Sequence, residues 1–447
     1  MKKAAKRISF LLMAVTLVVL SACSSGTKTS TSTESTAPTT KATEKATEAP
    51  AKNAQPVTLK LFTSSDPTWG GNKGLLEIID AFQKKNPNIK IQIDAVPKFE
   101  EVIPVRIATA DFPDLTYFHT GDPSYKSLKS EETLVDLGGL NLNQQLVSGV
   151  EDWTKFNGKV YSVLLGGLDV GGVIYNKDVF TKLGLKIPTN KQEFYAISEK
   201  IKAAGLIPYV MGAKDAWSTQ LMAFDSFSAY VAANKNWISD INSHKTTFDK
   251  TPAFVQMLAD MNELKTKGYM NSDALSTTVE SAMEKVSTGK AAMWEMATFL
   301  NGDFAKKFPD AKIGLFANPL AADKPVVSTF ATGGLMVFNK SKHVEEAKKF
   351  LQFVASPEGL KLFYDANPSI PVYKGVTNQL SAISTDGNEY VKNGQVILNF
   401  KDSLVVNFAG FENSLQDAIA GQKPEDVAKK IQTILDTTAK SQNVPGF

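Results

Sequence analysis

Between Val57 and Phe118 the chain alternates between a hydrophobic period of two and a helical period, and that rhythm limits the fold more than any other feature. Val57, Leu59 and Leu61 alternate with polar residues, as in a half-buried strand. Leu75, Leu76, Ile78, Ile79 and Phe82 follow at helical spacing, and the pattern ends at Asn86-Pro87. Ile89, Ile91 and Ile93 then alternate as a second strand. A second helix is predicted around Val102 to Ala110, and Leu115 to Phe118 reads as a third strand. Strand–helix–strand–helix–strand predicts a doubly wound α/β unit with a largely parallel sheet. Ligands of such sheets bind beyond the carboxyl ends of the strands. The loops of interest are therefore Ser64 to Gly71 and His119 to Ser124.

A second rhythm fills the middle of the chain. Gly158 to Val163 reads as a turn and short strand, Gly166 to Asp169 as a loop, and Gly171 to Tyr175 as a strand. Helices are predicted from Asn176 to Gly184, after Pro188-Thr189 to about Ala204, and over Trp217 to Ala233, Pro252 to Lys267 and Thr277 to Thr288. Ile207 to Met211, Ala291 to Glu295, Ile313 to Phe316 and Leu335 to Phe338 read as strands. Helices over Val344 to Ala355, Pro357 to Tyr364, Phe411 to Ala420 and Pro424 to Lys440 complete the pattern. No fixed-period repeat is visible.

The first 55 residues are of another kind. Lys2, Lys3, Lys6 and Arg7 precede an apolar run from Phe10 to Leu20, which reads as a secretory signal over residues 1–22. The run is shorter than the ~20 residues a membrane-spanning helix needs. Leu20-Ser21-Ala22-Cys23 resembles the lipobox of bacterial lipoproteins, in which the cysteine thiol receives a diacylglycerol. Cys23, the only cysteine, is the expected lipidation site. Residues 23–55 then form the lipidated cysteine and a Ser/Thr-rich tether with too little apolar surface to offset its ordering entropy. As a flexible coil it averages roughly 30 Å end to end.

Roughly 390 residues remain, more than one domain of the usual ~150 residues. The formal charge is +3, and the basic residues of the signal account for it. The body is near neutral, which removes the electrostatic basis for nucleic-acid binding. His119, His244 and His343 lie far apart with no cysteine partner, and neither a metalloprotease pair, a nucleophile elbow nor a P-loop is present. Two carboxylates suited to glycoside hydrolysis are not excluded among so many, but nothing marks a pair.

Five stretches, in order, resemble the family 1 extracellular solute-binding proteins of ABC importers, the group of maltose- and multiple-sugar-binding proteins. They are Glu77 to Pro87; Ala108 to Leu115; Gly158 to Tyr161 with Val173 to Phe180; Gly289 to Met293; and Ala347 to Leu351 with Ser356 to Gly359. The resemblance implies a periplasmic-binding-protein-like fold of two α/β lobes, each with a mostly parallel sheet, joined by crossing hinge segments. The expected N-lobe is 56–165 plus about 333–366, and the expected C-lobe about 166–332 plus 367–447. It implies a carbohydrate, an oligosaccharide by expectation, captured by lobe closure and delivered to the transmembrane subunits of an ABC permease. The chain is then a monomer held at the membrane by its lipid, without a cofactor, a metal or catalysis. The alternatives are a binding protein for another small solute and a surface-anchored glycoside hydrolase.

A sugar cleft needs aromatic platforms for the ring faces, and carboxylates, amides or backbone N–H groups for the hydroxyls. After the first strand, Ser65, Asp66 and Trp69 are candidates; after the third, Phe118, His119 and Asp122. Asp169 is the acidic candidate that the resemblance implies, and Trp217 stands at a strand-to-helix loop. Trp294, Glu295 and Phe299 follow Ala291-Ala292-Met293, where the family usually shows Gly-x-Trp and this chain lacks the glycine. Gly333 and Gly334 offer bare backbone amides. Trp237 is expected to be packing.

Overall fold

The computed structural model describes residues 55–65, 73–119, 128–142, 144–147, 150–320, 325–406 and 410–447. Strands among them are numbered in chain order. β1 (Val57–Ser64), β2 (Ile89–Val96) and β3 (Leu115–His119) alternate with helices Lys73–Lys85 and Phe99–Ala108. A hairpin of β4 (Lys155–Phe156) and β5 (Lys159–Val160) leads to β6 (Val163–Leu164) and the long β7 (Gly167–Asn176). β8 (Ile207–Val210), β9 (Ala291–Ala297) and β10 (Ile313–Phe316) are separated by helices, among them Thr219–Ala233 and Pro252–Thr266. β11 (Val327–Phe330), β12 (Gly333–Val337), β13 (Ile370–Pro371) and β14 (Val396–Leu398) follow.

The strands form two main sheets. The first has the order β2-β1-β3-β12-β6, and β1 pairs with β2 and with β3 in parallel. Its core follows from the sequence periods. Leu59 and Leu61 point inward from β1, and Leu75, Ile78, Ile79 and Phe82 fill one stripe of helix Lys73–Lys85. Each such side chain contributes about 1.5–3 kcal/mol on burial. Helix Pro357–Ala366, far along the chain, packs on this same helix.

The second sheet has the order β14-β11-β7-β9-β8, with β10 and β13 also on β7. It departs from the expected mostly parallel order: β7 runs antiparallel to β9, β10, β11 and β13. The expected loop at Gly166 to Asp169 is also shorter, since β7 begins at Gly167. Partners along both of its edges outweigh the low strand propensity of this glycine-rich stretch.

Three segments run between the sheets. Leu165-Gly166 joins β6 to β7, Ala331-Thr332 joins β11 to β12, and residues 367–369 join helix Pro357–Ala366 to β13. Each sheet with its helices is thus one α/β lobe.

Candidate functional site

Strand directions place the binding edge of each lobe. In the first sheet β1 and β3 are parallel and β12 runs against β3, with Gly333 opposite His119. The carboxyl ends of β1 and β3 therefore share an edge with the start of β12 and the end of β6. In the second sheet β8 and β9 are parallel, β7 opposes β9, and β11 opposes β7 but parallels β14. The carboxyl ends of β8, β9, β11 and β14 thus meet the start of β7 at one edge. The crossings β6–β7 and β11–β12 join these two edges. Ligand crevices of α/β sheets form at such edges.

On the second-sheet edge, Trp217, Phe299, Phe330 and Asp169 come together. Trp217 lies in the 3-10 turn Ala216–Ser218 that opens helix Thr219–Ala233, and Phe299 in the turn Thr298–Leu300 after β9. Their rings are 6.1 Å apart at 48°, and Phe299 stands edge-on to Phe330 at 5.9 Å. Trp217 is 40% exposed and Phe299 41%, and they are the only aromatic residues among the exposed large hydrophobic side chains of the described residues. Phe330 is half-buried and contacts Phe224 of the core at 6.1 Å. The pair is thus a wet face anchored on a dry one.

Asp169 pairs with Phe330 across β7 and β11. Its Oδ1 accepts a 3.0 Å hydrogen bond from the Thr298 hydroxyl, and its carbonyl accepts from the Thr329 hydroxyl at 2.8 Å. Burial pushes its carboxyl up to about 6, and the Thr298 bond opposes that rise. On the same edge, Lys401 after β14 donates to Gln220 Oε1 at 3.3 Å and lies 3.8 Å from the Glu412 carboxylate.

Other expected residues fall elsewhere. Phe118 is fully buried beneath Phe99 at 5.4 Å, inside the first lobe. Trp294 and Glu295 are both fully buried, on opposite faces of β9 as strand alternation requires. Trp294 packs with Ile174, Val210 and Phe304. Glu295 Oε2 accepts from Tyr209 Oη at 3.1 Å and from Asn318 Nδ2 at 2.7 Å. Neither offers a surface to a ligand, and the same holds for Phe118. Gly333 and Gly334 are buried in β12; a Cβ on Gly333 would collide with the Tyr117 ring, and one on Gly334 would fall 2.9 Å from Ser162 Cβ. Their bareness serves close packing.

Ser65 is exposed just past β1, where its N–H donates to the Val96 carbonyl at 2.8 Å. His119 closes β3 opposite Gly333. Asp66, Trp69, Asp122 and the lipidation candidate Cys23 lie outside the described residues. Thr298, Thr329 and Phe330 were not singled out in the sequence. The adjacency of Thr298 to Phe299 was the only available signal. Among the described residues, no group of three or more His, Cys, Asp or Glu side chains could hold a metal ion.

The chain is 29% identical over 316 residues to the multiple sugar-binding protein of Streptococcus mutans, covering 68% of this chain and 72% of that one. The apo form of RafE from Streptococcus pneumoniae superposes with a TM-score of 0.75 at 20% identity, over 87% of this chain and 99% of that one. A sugar transporter from Bacillus licheniformis in complex with stachyose gives 0.63 at 23% identity, over 84% and 98%. Those two likenesses establish the two-lobed fold. The family described as "Bacterial extracellular solute-binding protein" matches residues 67–361. With more than half of its 447 residues inside that match, the chain belongs to the bacterial extracellular solute-binding proteins.

Proposed function

We propose that this chain is the carbohydrate receptor of an ABC importer, and that the ligand, an oligosaccharide, sits against Trp217 and Phe299 beside Asp169. One observation carries the reading: two exposed aromatic rings 6.1 Å apart adjoin a half-buried carboxylate at the shared strand-end edge. Aromatic faces suit the C–H faces of sugar rings, and a carboxylate suits their hydroxyls. The name of the Streptococcus mutans relative and the stachyose bound to the Bacillus licheniformis structure favour the same ligand class. The N-lobe in this reading is 56–165 plus about 333–366, and the C-lobe about 166–332 plus 367–447. Ser65 and His119, at the ends of β1 and β3, and the sequence candidates Asp66, Trp69 and Asp122 are the further ligand contacts this reading assigns. Closure requires only that ligand bind the closed state better than the open one. No step needs a nucleophile.

Delivery to the permease follows from the family, and attachment through Cys23 follows from the resemblance of residues 20–23 to a lipobox. Among the described residues no helix is long and apolar enough to cross a membrane. Two or more acyl chains hold a protein stably at a bilayer, and a tether raises the receptor's effective concentration near its permease. Calorimetric titration with an oligosaccharide panel tests the ligand class. Silence across the panel with tight binding of a peptide or polyamine would overturn it.

A further inference from the structure

β9 leaves the second sheet after Ala297, whose partner on β7 is Gly171. The next amide of β7 toward the crossing, that of Val170, therefore finds a side chain: it donates to Thr298 Oγ1 at 3.1 Å. A threonine hydroxyl carries a single hydrogen. With Oγ1 accepting from an N–H, that hydrogen is free for Asp169 Oδ1 at 3.0 Å. An ionised carboxylate can only accept, so in that state the Thr298 hydroxyl is the donor. Oδ1 of the ionised Asp169 is thereby held as the acceptor of this bond. No side chain among the described residues is bonded to Oδ2. Thr298 is itself 1% exposed, so water does not compete for its hydroxyl.

The same residue begins the single 3-10 turn that carries the exposed Phe299 ring. Carboxylate and ring are then two arms of one fixture. Resting on the carbohydrate reading of this edge, we propose that Thr298 is the positioning residue of the site: its hydroxyl holds Asp169 as an oriented acceptor beside the Phe299 platform, which selects ligands that present a hydroxyl donor at the rim of an apolar face. The surroundings leave this task to Thr298. Tyr117 of β3 is the titratable neighbour whose hydroxyl and Asp169 influence each other, and its own hydrogen is given to the Leu165 carbonyl at 3.0 Å. β11 supplies Thr329 and Phe330, without charge. Helix Ala382–Lys392 brings Gly387 against Val170. Its charged groups are engaged elsewhere, Asp386 with the Leu315 amide and Lys177, and Glu389 with Lys392.

The test compares Thr298→Val, which keeps the shape and removes the hydroxyl, with Thr298→Ser, which keeps the hydroxyl. In the ligand-free protein, carbon-13 NMR of the carboxyl groups, with Asp169→Asn for assignment, follows Asp169 directly. The expected result is a titration midpoint higher in Thr298→Val than in the unaltered protein, and restored in Thr298→Ser. Calorimetry with the tightest oligosaccharide of the panel should show about a tenfold loss of affinity at pH 7 in Thr298→Val. That loss should shrink at higher pH, where Asp169 ionises in both. An unmoved Asp169 midpoint, or an affinity loss equal at every pH and shared by Thr298→Ser, would overturn the assignment. If no oligosaccharide binds the unaltered protein while the midpoint still shifts, the carbohydrate reading fails and the positioning of Asp169 stands.

Discussion

The hydroxyl of Tyr364 donates a 2.7 Å hydrogen bond to the carbonyl of Gly166 and accepts another, at 3.0 Å, from the amide of Val372. One side-chain oxygen thus ties the β6–β7 crossing to the residue that follows β13. Tyr117 does the same for the Leu165 carbonyl at 3.0 Å, and Tyr373 for that of Leu164 at 2.8 Å. Three successive carbonyls are held by three buried tyrosines from three separate elements.

Tyr364→Phe removes both bonds and leaves the buried Val372 amide and Gly166 carbonyl unpaired. The expected cost is about 1–3 kcal/mol in denaturant unfolding. Hydrogen exchange at Val372 should quicken beyond the global loss of protection, because the defect is local to the crossing. Equal protection at Val372 in both proteins would refute the clamp.

Trp217 and Trp237, two of the three tryptophans of the C-lobe, separate binding from folding. Trp237 is 4% exposed, stands edge-on to Phe227 at 4.9 Å, and donates from Nε1 to Thr251 Oγ1 at 3.1 Å. Trp237→Ala should cost about 3–5 kcal/mol of stability. Trp217→Ala, on an open face, should change stability by no more than about 1 kcal/mol and weaken oligosaccharide binding at least tenfold. Thermal unfolding and calorimetry on the same pair of variants decide it, and the reverse ranking in affinity would remove Trp217 from the site.

The contrast between these residues shows what was legible. The first three strands and their helices could be read because one face of each is buried, so the periods of 2 and 3.6 are written in Leu59, Leu61, Ile78 and Phe82. Trp217 and Phe299, which the structure leaves exposed and side by side, were singled out because large aromatics at strand ends are conspicuous. Trp294 and Glu295 looked equally conspicuous, yet β9 is covered on both faces and leaves no exposed side for them. Strand β11, with Ser328 and Thr329 at its centre, carries no periodic signal at all. Its pairing depends on β7 and β14, which lie far away in sequence, and Phe330 and the anchor of Asp169 were hidden with it.

Gly166 and Thr332 test whether the crossings are packed as tightly as their contacts imply. A Cβ on Gly166 would collide with Thr332 Oγ1, and a Cβ on Gly167 with Ser369, so the three crossings lie side by side. Gly166→Ala should therefore cost about 1–3 kcal/mol and bias the lobes away from the arrangement seen here. Adding Thr332→Ala removes the colliding oxygen and leaves Cβ at 3.1 Å, which a small shift can relieve. The double variant is expected to recover part of the loss, a positive coupling read from a double-mutant cycle. Strict additivity would mean that the crossings do not press on one another.

Asp225 and Glu295 make the C-lobe sensitive to alkali. Asp225 Oδ1 accepts from the Ser328 amide at 2.8 Å, and the two carboxyls bond to each other across the buried space beside Gly171. Burial raises Asp225 to about 6. Burial first, and the neighbouring Asp225 charge second, raise Glu295 well above the usual carboxylate range. Both folded values lie above the unfolded ones, so their contribution is full below about pH 4 and is lost as pH rises through the folded values. For Asp225 the loss between about pH 4 and pH 6 is on the order of 3 kcal/mol; Glu295 holds its proton to higher pH and donates it to Asp225. Unfolding free energy measured in urea should thus fall from pH 5 to pH 9. Glu295→Gln keeps a donor to Asp225 and cannot ionise, so its curve should flatten at the alkaline end. An alkaline slope in Glu295→Gln as steep as that of the unaltered protein would place the titrating group elsewhere.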